Sequence, residues 1–151
     1  MTNALFSFMH HVAAFALVTT LAIELVLLRD PPTLSSARKL MVADMIYGIC
    51  AGTVLVVGFI RVCYFEKGAT YYFHSIPFIA KLSLFALIGL VSIYPTLEFL
   101  SWRKLLKQDR IPTPDTSKVR LIRTFIRLEL TGVVLILLCA ALMAKGIGTF
   151  G

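Results

Sequence analysis

Four apolar runs separated by short charged connections predict an all-α fold, an integral membrane four-helix bundle. Two observations carry that expectation. The residues are 58% hydrophobic and only 15% charged, where a soluble domain has about 45–50% apolar and about 25% charged residues. Each run also approaches or exceeds the ~20 residues that a helix rising ~1.5 Å per residue needs to cross hydrocarbon. The 151 residues leave room for spans at about 4–28, 40–62, 77–100 and 120–145, hence one domain over 1–151 with no separate soluble module.

The net charge of +7 would point to nucleic acid in a soluble chain. Here the basic residues gather at span ends, where they set topology, so the expected partner is the lipid bilayer and not nucleic acid. Cys50, Cys63 and Cys139 show no metal-type spacing, and no disulfide framework follows from them. Met1-Thr2-Asn3 lacks a basic n-region, so the first span is expected to be retained.

The first span opens with Ala4 to Ile23, twenty residues without a formal charge that contain His10 and His11. A polar group at that depth persists only where something satisfies it, which makes the pair a functional candidate. At headgroup depth, hydrogen bonds to lipid and water would serve the pair equally well. Arg29-Asp30-Pro31-Pro32 ends the span. Glu24 lies near its exit, about 21 Å along the axis from His10 at ~1.5 Å per residue and on nearly the same face.

The second span is expected to begin after Arg38-Lys39 and to end at Arg61. Asp44, Tyr47, Gly48, Ala51 and Leu55 share one of its faces by helical spacing. Gly48 and Gly52 form a GxxxG pair, which ordinarily lets a neighbouring backbone approach and alternatively leaves space for a flat cofactor. The connection from Arg61 to Lys81 interleaves Arg61, Glu66, Lys67, His74 and Lys81 with six aromatics, the composition of an interfacial belt. Pro77 suits the first turn of the third span, which places Lys81 about one turn inside it. Pro95 is expected to kink that helix near Glu98. Trp102 then reads as an interfacial anchor, and Asp115 as the N-cap of the fourth helix. On that helix Arg120, Arg123 and Arg127 make a basic stripe suited to anionic headgroups.

Lys and Arg number three in residues 29–39 and eight in 101–128, against three in 61–81 and one at Lys145. This asymmetry of eleven to four places both termini outside and the basic connections in the cytoplasm. His10, His11, Arg61, Lys67, His74 and Lys81 then share the outer side, and Glu24, Asp44, Glu98 and Glu129 the inner side. A buried imidazole is a natural axial ligand of haem iron, with Arg and Lys at the same depth to pair with propionates. The candidate cofactor-binding residues are His10, His11, Arg61, Lys67 and Lys81. No CxxCH is present for covalent attachment. A copper or zinc site from His10, His11 and His74, with Met9 or Cys63, is a competing reading without HxxxH or CxxC spacing. A third is a small transporter or accessory membrane subunit in which the inner acids relay protons or cations.

At His10-His11, Asp44 with Tyr47-Gly48, Gly58-Phe59-Ile60-Arg61 running to Glu66-Lys67-Gly68, and Phe78-Ile79-Ala80-Lys81-Leu82, most of the chain resembles a family of uncharacterised small four-span bacterial inner-membrane proteins. That family is in turn distantly similar to the four-helix membrane protoporphyrinogen oxidases and to copper-resistance D type proteins. The oxidases pair a first-span histidine with a third-span lysine and bind haem b, which implies that role for His10 or His11 and for Lys81. The chain departs from them by doubling the histidine and by its long aromatic connection. The expected function is therefore a membrane b-type haem or porphyrin-binding protein in electron transfer or porphyrin oxidation, with a membrane redox partner or a second copy of itself as partner.

Overall fold

The computed structural model describes residues 2–65 and 76–145. Four long helices run antiparallel: α1 (Thr2–Leu27), α2 (Leu34–Ile60), α3 (Ile76–Lys107) and α4 (Thr116–Ala144). A single π-helical turn, Arg61–Phe65, extends α2. All four helices are long and apolar enough to cross a membrane, and the described residues contain no strand. Side chains such as Phe15, Leu90 and Val134 point outward and exposed. In water that pattern would be costly, but against lipid tails apolar exposure carries no penalty.

α1 packs most extensively on α2, and α3 on α4; the two hairpins meet along lighter α2/α3 and α1/α4 seams. The main core lies toward the end that carries the two short connections, built from Leu17, Leu21, Leu40, Phe99, Ile122 and Ile126 with their neighbours. α3 and α4 approach closely at Gly132, where a Cβ would stand 2.7 Å from Ile88 side-chain carbons.

Several boundaries and contacts differ from the sequence expectation. α2 begins at Leu34, ahead of Arg38-Lys39, because Thr33 and Ser36 form a capping box that satisfies backbone donors of the first turn. α3 continues past 100 to Lys107, which carries Trp102 into the core against Phe99 at 5.3 Å between ring centroids, so it is not an interfacial anchor. The helix runs through Pro95. Nothing in the described residues lies within 4 Å of a Cβ built on Gly48 or Gly52, so the GxxxG pair brings no neighbouring backbone close. Asp115 takes the N-cap position with extended φ and ψ but without a side-chain cap bond. Its carboxylate accepts the Ser117 hydroxyl at 2.6 Å, and that bond holds it below the usual carboxylate range. Between α3 and α4 the chain turns at Asp109, whose φ of 52° is left-handed, and the Asp109 carboxylate pairs with Arg38.

Candidate functional site

The end of the bundle that holds the N-terminus, the π turn and the start of α3 gathers the predicted basic cluster. His10 of α1 lies against Gly58 of α2: a Cβ there would sit 3.4 Å from its Cε1 and 3.8 Å from its Nδ1. A Cβ there would make ordinary contact with the ring, so a side chain longer than that of alanine would press on it. The imidazole also reaches the Val54 carbonyl. With a proton on the nitrogen that donates to this carbonyl, Nδ1 keeps a free lone pair, and backbone bonds of this kind orient histidines that ligate metals. Nδ1 is buried and has no hydrogen-bond partner among the described residues.

Arg61, the first residue of the π turn, and Lys81 of α3 stand close enough to act electrostatically on His10. Lys81 Nζ also lies 5.2 Å from the centroid of the Phe78 ring, a cation–π contact. His10, Gly58, Phe59, Phe78 and Lys81 line a cavity of about 100 Å³. Leu55 and Phe59, both more than a third exposed, form its lipid-facing wall. The structure thus brings together His10, Arg61 and Lys81. It separates His11, which is exposed and engages the Ser7 carbonyl through Nδ1 at 2.6 Å. The two imidazoles stand nearly perpendicular, 6.0 Å between centroids, and do not converge on one point. Lys67 and His74 lie outside the described residues. Among the described residues no group of three His, Cys, Asp or Glu side chains is arranged to hold a metal ion.

The donors fit a haem: an unpartnered imidazole nitrogen, two cations for propionates and an aromatic wall. The enclosed space is smaller than the ~300–1,000 Å³ of small-molecule sites. A macrocycle does not fit this space as it stands, and would require at least the Leu55 and Phe59 side chains to swing toward lipid.

The acids form a second centre about four helical turns away, at the level of Glu24. Glu24 from α1, Asp44 from α2 and Glu129 from α4 are buried and act on one another. Tyr47 is placed to donate to Glu129, and the Thr96 hydroxyl of α3 donates to Asp44 Oδ1 at 2.7 Å. Glu24 and Glu129 each keep one buried oxygen without a hydrogen-bond partner among the described residues. Glu98 stands apart from this cluster, paired with Lys118 at 3.5 Å. Sequence reasoning missed Gly58 and Thr96. The four-residue step from Val54 to Gly58 was a usable signal for the first; the second depends on how α3 faces α2.

Fold and site together define a four-span membrane protein with a basic imidazole centre toward one end and an acidic centre deeper in the bundle. The profile of the family described as "Predicted membrane protein (DUF2214)" matches residues 2–148, and the chain belongs to that family. No curated protein and no solved structure gives a significant match.

Proposed function

We propose that the chain is a membrane b-type haem or porphyrin-binding protein used in electron transfer or porphyrin oxidation. The observation that carries this reading is the buried Nδ1 of His10, unpartnered among the described residues and flanked by Arg61 and Lys81. The distant resemblance to four-helix protoporphyrinogen oxidases, which pair a first-span histidine with a third-span lysine, supports it. In this reading His10 would hold the iron through a ring nitrogen, with Gly58 packed beside the imidazole. Arg61 and Lys81 would pair with the propionates, and Lys67, outside the described residues, is proposed as a further cation for them. Haem, when bound, supplies one-electron chemistry. A redox partner within the membrane, or a second copy of the chain, would approach the lipid-facing wall at Leu55 and Phe59.

Ferric haem titrated into detergent-purified protein should give a saturable Soret shift at about one equivalent per chain. Lys81→Ala should weaken binding about tenfold, the ~1.4 kcal/mol scale of one lost charge-assisted contact, and leave the band position unchanged. A non-saturable titration overturns the reading; a band moved by Lys81→Ala would make the lysine a ligand instead of a propionate partner.

The proposed location is the bacterial inner membrane with both termini periplasmic, resting on the eleven-to-four distribution of Lys and Arg. Alkaline phosphatase fused after Gly151 should be active and green fluorescent protein dark. The opposite pattern would put the imidazole centre on the cytoplasmic side.

A further inference from the structure

A second cavity opens to the membrane along the α2/α3 seam, separated from the His10 cavity by Phe85, which lines both. Its volume of about 660 Å³ falls within the ~300–1,000 Å³ range of small-molecule sites. Gly48 on one wall and Gly89 on the other keep it open, with nothing among the described residues within 4 Å of a Cβ at either position. Most of the lining is apolar, with Phe85 and Phe99 among it, and Asp44 is the only acidic residue among the described residues that line it.

Asp44 is 9% exposed. Its Oδ1 accepts from Thr96, and it has no ion-pair partner among the described residues. The groups around it are acidic or neutral: Glu24 from α1, Glu129 from α4, and Tyr47 on its own helix. The one basic residue of the lining, Arg103, is exposed and stands seven residues beyond Thr96 on α3, about 10 Å at ~1.5 Å per residue. It is free to reach headgroups at the mouth.

We infer that this groove binds a lipophilic monocation, an organic ammonium or phosphonium with an apolar body, with Asp44 as its counter-charge. Beyond the Thr96 hydroxyl, the Asp44 carboxyl faces an apolar, membrane-open space without a counter-charge among the described residues, and a cation whose own body is apolar suits both the acid and the wall. Glu24 and Glu129 lie behind Asp44 and set no cation against it. A neutral hydrophobe would gain only the apolar wall, and an anion would face the Asp44 carboxyl.

The test is equilibrium binding of tetraphenylphosphonium to the purified full-length protein in lipid nanodiscs, with tetraphenylborate, similar in shape and opposite in charge, as competitor. The expected result is saturable binding at about one per chain that tetraphenylborate does not displace. Asp44→Asn should lower affinity at least tenfold, and Gly89→Phe, which fills the groove and keeps the acid, should do the same. His10→Ala should leave it unchanged, which separates this site from the haem site. Absent or non-saturable binding overturns the inference, as does equal competition by tetraphenylborate. Unchanged affinity in both Asp44→Asn and Gly89→Phe also overturns it. Loss of tetraphenylphosphonium binding in Arg103→Ala also overturns the assignment, because removing a positive charge from the lining does not weaken a site for a monocation.

Discussion

His10→Ala should remove bound haem, while His11→Ala should leave most of it in place. The two residues differ by one step of about 100° around α1, enough to send one ring inward and the other to the surface. The inward ring lies against Gly58 and keeps a buried nitrogen without a hydrogen-bond partner among the described residues. The outward ring spends its Nδ1 on the Ser7 carbonyl. Truncating His10 leaves Val54, Phe59 and Phe78 in the lining, with Lys81 as the remaining side-chain nitrogen among the described lining residues. Absorption spectra of the purified variants, normalised to protein, read this out. Full haem retention in His10→Ala with loss in His11→Ala would reverse the ligand assignment. Gly58→Leu gives a second check, because it crowds His10 without altering any donor and should also lower haem content.

The largest effect on stability is expected at Gly132→Val. A Cβ there would stand 2.7 Å from both Cγ1 and Cδ1 of Ile88, well inside van der Waals contact, and Ile88 is itself buried. Overpacking a tight contact costs about 1–3 kcal/mol. In a bilayer the close approach of backbones at small residues is a main source of helix association, so the loss falls on the α3/α4 seam. Thermal unfolding in detergent should show a clear drop in midpoint for Gly132→Val. Ile88→Ala placed on that background should recover part of it, since the removed carbons are the ones in conflict. If the double variant is no more stable than Gly132→Val alone, the contact does not limit packing there.

Hydropathy made the four spans legible because lipid demands continuous apolar runs, and no alternative fold tolerates them in this length of chain. Span ends were less legible. Thr33 and Ser36 cap α2 within a polar stretch, where hydropathy carries no signal. The π turn at Arg61 depends on backbone hydrogen-bond register, which side-chain pattern does not encode. Trp102 illustrates a composition rule overridden by tertiary packing: an interfacial residue type, placed on a helix longer than expected, packs into the core against Phe99. The shared face of Asp44, Tyr47, Gly48 and Ala51 was readable from helical spacing, and all four line the larger groove. What that face opens onto was not readable. Space is a property of how α2 and α3 diverge, and Gly48 suits close packing and open volume equally well. For the same reason the pairing of Glu98 with Lys118, away from the other acids, needed the structure.

The proposed hold of His10, Arg61 and Lys81 on a b-type haem is open to spectroscopy. Its most direct test is the absorption spectrum, oxidised and dithionite-reduced, of wild-type protein purified from haem-replete cells. A Soret band with reduced α and β bands, near one haem per chain by pyridine haemochrome and absent from His10→Ala prepared in parallel, is the predicted result. Wild-type protein that is folded, fully helical by circular dichroism and colourless through the Soret region would contradict it.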